Sequence, residues 1–333
     1  LSSLLIQTSF IGDVILSTPL IAELAQRGSV TVVATPLGAS ILRNNPDVRR
    51  LVVYDKKNTD RGAAGLVRLA RSVRADAPDA TAFLGQGSVR SALLARAAAY
   101  KTRIGFDTSP GRVFYTHRIR FRRDKHHAER LLSLARGDAA PISRTDLRPR
   151  VYPSPADGVA VDELLSGAPN EDRPLIGLAP GSIWGTKRWP YYAELAAALR
   201  PTARAVVIGS GDDAAIADAI LRATDGDAID ASGRLTLLGS AELIGRCRAL
   251  VTNDSAPLHL ASAMNTPTVA VFGPTVPAFG FGPLAQKSAV AQHLALECRP
   301  CHPHGPQVCP LGHWRCMRDL SVSAVLERLA AIK

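Results

Sequence analysis

Long hydrophobic runs are missing. No stretch of about 18 uninterrupted apolar residues occurs, which argues against a membrane-spanning helix. Aromatic residues make up 5% of the 333 positions and methionine only two, so the 46% apolar content is mostly alanine and aliphatic side chains, a composition suited to helices packed on parallel sheets. The apolar start LSSLLIQTSFIGDVILSTPL has no cationic n-region and carries Asp13 in its middle. It reads as a buried strand followed by a helix rather than a secretory signal. Cysteine is also scarce: of five, four crowd between 298 and 316, which argues for thiols or a metal rather than a disulfide framework. The expected compartment is the cytosol.

Acidic residues are few in the first half. Residues 1–150 hold 25 Lys and Arg against 12 Asp and Glu, a net +13, while residues 151–333 carry −2, giving +11 for the whole chain. Such asymmetry suggests an acidic partner for the N-terminal half, whether nucleic acid, an anionic membrane surface or a polyanionic substrate. A merely solvated basic face is the alternative.

Short apolar runs alternate with helical patterns. Leu4–Ile6, Val30–Val33, Leu51–Tyr54 and Ala82–Leu84 have the look of strands, with helices expected over Val14–Arg27, Arg61–Arg74 and Val89–Tyr100. Pro149, Pro153, Pro155, Pro169 and Pro174 then mark a change of texture around one short helical piece. We place a linker at 151–174, between an N-terminal domain of residues 1–150 and a C-terminal domain of residues 175–333. The second domain repeats the pattern, with strands at Leu175–Ala179, Ala205–Gly209, Ala249–Thr252 and Thr268–Phe272 and a helix at Tyr191–Leu199. An amphipathic helix over Val322–Ile332 is expected to brace one domain against the other. Tandem doubly wound α/β domains bind ligands in the cleft outside the carboxyl ends of their strands.

The stretch VTNDSAPLHLASA, 251–263, delivers a strand into a helix N-terminus, where unpaired N–H groups and the helix dipole favour a phosphate. Asp254 or Ser255 is expected to cap that helix, and His259 lies one turn further on the same face. Three other strand-end loops add chemistry. Gly12–Asp13 offers a carboxylate that either caps a helix or takes a proton from an incoming hydroxyl. The loop 180–190, PGSIWGTKRWP, offers the Ser182 and Thr186 hydroxyls and the Lys187 charge, on glycine spacing that is not a P-loop. In Gly209–Asp213, Asp212 is a ribose-binding carboxylate or a helix cap.

Taken together, the Gly12–Asp13 turn, GSIWGTKRWP, VVIGSGDD, VTNDSAPLHLA and the turn Phe272–Thr275 resemble, in order and context, the ADP-heptose:lipopolysaccharide heptosyltransferases of glycosyltransferase family 9. The likeness runs over essentially the whole chain, with wording nearest the heptosyltransferase II branch. It implies a GT-B fold, two Rossmann-like doubly wound domains facing across a cleft, with the acceptor on the first and ADP-heptose on the second. It further implies inverting transfer of L-glycero-D-manno-heptose to the inner core of lipopolysaccharide, on a Kdo2-lipid A-type acceptor. Asp13 matches the catalytic base, and Lys187 a catalytic and donor-binding cation. Asp254 and His259 match family positions that contact the donor; the Ser182 and Thr186 hydroxyls and the backbone at Ser255, Ala256 and Leu258 suit its pyrophosphate, and Asp212 is a candidate ribose contact. Ala256-Pro257 departs from the family wording and removes one N–H. Whether the ribose partner is Asp212 or Asp213 stays open. A different family sugar or acceptor, or a non-catalytic nucleotide or nucleic-acid binder, are the other readings.

No cofactor is required by this reading, and Mg²⁺ is left open. Cys298-x2-Cys301, with Cys309 and Cys316, has the count for a structural zinc but lacks a second C-x2-C knuckle, and free packed thiols are the competing expectation. Cys247 reads as a buried helix residue. Arg120, Arg122, Arg123 and Lys125, on a stretch that alternates like a charged edge strand, are assigned to acceptor phosphates. Only Phe121 is there to stack on a base, so nucleic acid is not expected. The same charges would suit peripheral attachment to the anionic cytoplasmic face of the inner membrane.

Overall fold

The computed structural model describes residues 2–137, 142–166 and 173–332. The chain divides into two compact units, Leu1–Tyr152 and Pro153–Lys333.

The first unit is one six-stranded parallel sheet. Strands β1 (Ser2–Gln7), β2 (Ser29–Ala34), β3 (Arg50–Val53), β4 (Thr81–Leu84), β5 (Arg103–Phe106) and β6 (His117–Ile119) lie in the order β3-β2-β1-β4-β5-β6. Leu4, Leu5, Ile6, Val32, Val33 and Leu84 are fully buried, as expected for strands covered on both faces. Each such side chain contributes about 1.5–3 kcal/mol on burial. Strand order reverses between β1 and β4, which are hydrogen-bonded neighbours. The loops leaving their carboxyl ends therefore splay apart and open a crevice.

The helix expected over Val14–Arg27 is two helices, Ile11–Leu16 and Thr18–Ala25. Pro19 is the cause: it lacks an N–H and crowds the carbonyl of Ile15. At the break the hydroxyls of Ser17 and Thr18 bond the carbonyls of Val14 (2.7 Å) and Ile15 (2.8 Å). Of the charged stretch 118–127 that alternates like a strand, only Arg118 and Ile119 fall in β6, which does lie at the sheet edge.

The second unit repeats the topology. Strands β7 (Leu175–Ala179), β8 (Arg204–Val207), β9 (Ile229–Asp230), β10 (Ala249–Asn253), β11 (Thr268–Phe272) and β12 (Ser288–Gln292) run parallel in the order β12-β11-β10-β7-β8-β9. Counted from its own first strand, that order equals the first unit's. The reversal now falls between β7 and β10.

Part of the expected linker is structured. The helix Pro155–Ser166 belongs to the second unit, where Thr236 Oγ1 donates to Asp157 (2.7 Å) and Arg246 donates to the Gly158 carbonyl (3.2 Å). Pro169 and the rest of 167–172 lie outside the described residues. The terminal helix Val322–Ile332 forms as expected, but Val325, Leu329 and Ile332 enter the second unit's own core beside Trp189 and Met317. Among the described residues no helix is long and apolar enough to cross a membrane.

Candidate active site

Each sheet's reversal point carries a cluster of polar side chains. In the first unit, β1 runs into Thr8–Phe10 and the helix Ile11–Leu16, while β4 runs into Gly85–Gln86–Gly87. Thr8 Oγ1 bonds Gln86 Oε1, closing the rim between the two loops. A cavity of about 280 Å³ opens there, and Asp13, Ser9, Gln86 and His127 face it, with Phe106 and Phe121 forming its apolar wall. The two rings meet edge to face at 5.2 Å.

Asp13 is not the helix cap. Phe10 holds that position without a side-chain bond, and Asp13 sits in the first turn, where the helix dipole favours its charge. Its carboxylate faces the cavity, and Oδ1 lies 3.4 Å from His127 Nε2. Burial pushes the His127 imidazole below its ordinary value; the Asp13 charge opposes this and Arg130 reinforces it.

The four proposed phosphate-binding cations divide. Arg122 forms a fork to Asp124 (2.9 and 3.1 Å) and Lys125 pairs with Glu129 at 2.9 Å, so both are held by neighbouring carboxylates. Arg120 and Arg123 are exposed.

In the second unit, β7 leads into the 180–190 loop and β10 into Asp254. Lys187 Nζ donates to Asp254 Oδ2 at 2.6 Å, and Thr275 Oγ1 donates to the same oxygen at 2.7 Å. All three residues are buried. Asn253 joins the two loops: Nδ2 donates to the Pro180 carbonyl (2.7 Å), and Oδ1 accepts from the Trp189 N–H (3.3 Å) and the Tyr192 hydroxyl (3.2 Å). The ammonium of Lys187 is thus fixed against Asp254 rather than waving on a loop.

Several donor contacts read from the sequence are altered. Neither expected cap forms on the helix Ala256–Met264: Ser255 is the N-cap residue without a side-chain bond, and Asp254 is engaged by Lys187 and Thr275. The Leu258 N–H donates to the Ser255 carbonyl at 3.1 Å and Pro257 has none, so the N–H groups at the helix mouth are those of Ser255 and Ala256. Thr186 is buried and its hydroxyl donates to the Pro306 carbonyl, which turns it away from a phosphate role. The Ser182 hydroxyl, partly exposed, accepts from the Trp184 N–H at 3.2 Å and keeps its own proton for a ligand. His259 is buried, edge to face with Phe281 at 6.2 Å. Asp213 is a buried capping residue that accepts from Ser210 N–H (2.9 Å) and Ser210 Oγ (3.1 Å). It leaves no room for a side chain at Gly181, where a Cβ would come within 2.5 Å of its carboxylate. Asp212, by contrast, is exposed.

The cysteine-rich loop reinforces this site. The Gly185 N–H donates to Gln307 Oε1 (3.0 Å), Gln307 Nε2 donates to the Ile183 carbonyl (2.9 Å), and the Thr186 N–H donates to Pro306 (3.3 Å). Residues 306–307 thus clamp the loop that carries Lys187. The cysteines are free thiols, and no group of three or more His, Cys, Asp or Glu among the described residues is arranged to hold a metal ion. Burial pushes the Cys316 thiol up to about 11 and Cys247 up to about 12. At Cys309 burial opposes ionisation, but N–H groups of Trp314, Leu311, His313 and Gly312 outweigh it and hold the thiol below its ordinary value.

Residues 66–312 match the model of glycosyltransferase family 9 (heptosyltransferase). This chain belongs to that family. The family 9 chain is 36% identical over 134 residues to lipooligosaccharide heptosyltransferase 2 of Haemophilus influenzae, a match that spans 38% of each protein. It is 28% identical to the corresponding protein of Haemophilus ducreyi over 86% of this chain and 87% of that one. The structure of E. coli ADP-heptose lps heptosyltransferase II superposes with a TM-score of 0.80 at 26% identity, covering 100% of this chain and 98% of the other. The fold of this glycosyltransferase is accordingly GT-B, built from two Rossmann-like units. The sequence shows Asn253 and Thr275 only as members of the motifs VTNDSAPLHLA and Phe272–Thr275, without their partners, because both act through contacts distant in the chain. His127 was visible only as one of many basic residues near β6.

Proposed function

We propose that this glycosyltransferase moves L-glycero-D-manno-heptose from ADP-heptose onto monoheptosylated Kdo2-lipid A in the inner core of lipopolysaccharide. The observation that carries the reading is the full-length likeness to the E. coli ADP-heptose lps heptosyltransferase II. The two polar clusters supply the chemistry. Asp13 takes the proton of the acceptor hydroxyl as its oxygen attacks the anomeric carbon, and the bond to the ADP oxygen breaks on the opposite face. Negative charge grows on the departing pyrophosphate. Lys187, the Ser182 hydroxyl and the N–H groups of Ser255 and Ala256 are the groups suited to meet it, and fixed donors at a developing charge are usually the largest catalytic term. Asp212 serves the ribose.

The reading calls on no resident cofactor. The +13 charge of residues 1–150 supports a polyanionic acceptor, with exposed Arg120 and Arg123 as contacts for its phosphates, and supports work at the anionic cytoplasmic face of the inner membrane. Incubation with ADP-heptose and either Kdo2-lipid A or its monoheptosylated form, followed by acceptor mass, tests the proposal. A one-heptose gain on the monoheptosylated acceptor alone is expected. Gain on the unheptosylated acceptor would make this the first-heptose enzyme, and no gain on either would move the reading to another sugar.

A further inference from the structure

His127 reaches the base from a distant part of the chain. It is the first residue of the helix His127–Arg136, and its Nε2 lies 3.4 Å from Asp13 Oδ1 across the cavity that both residues face. That helix is anchored behind it. Arg130, one turn on, donates to the carbonyls of Arg122 and Arg123 at 2.7 Å each and lies 4.9 Å over the Phe121 ring. The imidazole is therefore presented from a rigid element rather than from the charged loop.

We infer that His127 is a positioning residue for Asp13, donating its Nε2–H to Oδ1 so that Oδ2 is turned to the acceptor hydroxyl. This inference rests on the transfer reading above, since it assigns His127 through the base of that reaction. The charged groups around the ring are Asp13 from the facing helix and Arg130 on its own, with Ser9, Gln86 and Ser109 as polar neighbours around the cavity. Burial and Arg130 disfavour the imidazolium while the Asp13 charge favours it, and the ring donates Nε2–H in its neutral form too. A neutral donor orients a carboxylate without tying it into an ion pair that would blunt it as a base. The 3.4 Å separation is longer than a good N–H···O bond, and such contacts tighten when substrate completes the site.

Two measurements test the assignment. In the first, the free enzyme with labelled histidine is titrated by NMR, alone and as Asp13→Asn. His127 is expected to titrate below the ordinary imidazole range, and lower still once the Asp13 charge is removed; an unmoved titration in the variant would overturn the pairing. In the second, His127→Leu is expected to lower kcat by about 10- to 100-fold, the worth of a hydrogen bond to a charged group, with the donor KM within twofold. His127→Gln, whose Nε2 can occupy the same place, is expected to restore most of the rate and serves also if the leucine variant folds poorly. Full turnover in His127→Leu, or no recovery in His127→Gln, contradicts the role. Absence of transfer by the wild-type enzyme would instead overturn the transfer reading and with it the role, while the titration, which needs no substrate, reports on the pair separately.

Discussion

Asp13→Asn is expected to lower kcat by about 10²- to 10⁴-fold, the usual contribution of a positioned general base, while ADP affinity stays within twofold of wild type. The substitution is nearly isosteric, and because Asp13 caps nothing, the helix Ile11–Leu16 loses no bond that holds it. Asn Oδ1 still accepts from His127. What is lost is the capacity to receive a proton. The groups proposed to bind the nucleotide, Lys187, Ser182, Ser255 and Asp212, belong to the other unit, so binding and turnover should separate. Steady-state kinetics with calorimetric titration of ADP makes the comparison. Retained turnover would remove Asp13 from the mechanism, and an equal loss of ADP affinity would make its role one of binding.

Lys187→Met should damage both stability and activity. It leaves the Asp254 carboxylate buried with Thr275 as its side-chain partner, and removing one member of a buried pair costs about 3–5 kcal/mol. For a unit of this size that is a fall in Tm of roughly 6–20 °C. The double variant Lys187→Met/Asp254→Asn removes the stranded charge, so it is expected to recover most of the Tm and none of the turnover. That dissociation separates the structural from the catalytic share of Lys187. Recovery of turnover along with Tm would mean that the lysine acts only by holding the loop.

Most strands legible in the sequence are buried ones: β1, β2, β4, β7, β8, β10 and β11 are largely aliphatic runs covered on both faces, while β3 was legible although partly exposed. β5 is a short run broken by Arg103 and Gly105, β6 lies at an edge, β9 has two residues and β12 is half-exposed, so none carries a clear period. The helix break at Ser17 was written in Pro19 but masked by apolar neighbours. In the site, Asp13, Lys187 and Asp254 stood out because strand-end loops place ligand-facing groups. Their partners did not. A threonine next to a lysine reads as a phosphate ligand, and only the fold shows Thr186 spent on Pro306 and Thr275 holding Asp254. Asp212 and Asp213 are chemically identical neighbours, separated by the capping bonds to Ser210.

The central claim is a direct displacement: a hydroxyl freed by Asp13 attacks while Lys187 and its neighbours hold the leaving pyrophosphate. The configuration of the newly formed linkage, determined by NMR on the isolated product, tests it most directly. The account predicts an anomeric centre inverted relative to the donor. Retention of the donor's configuration would contradict it.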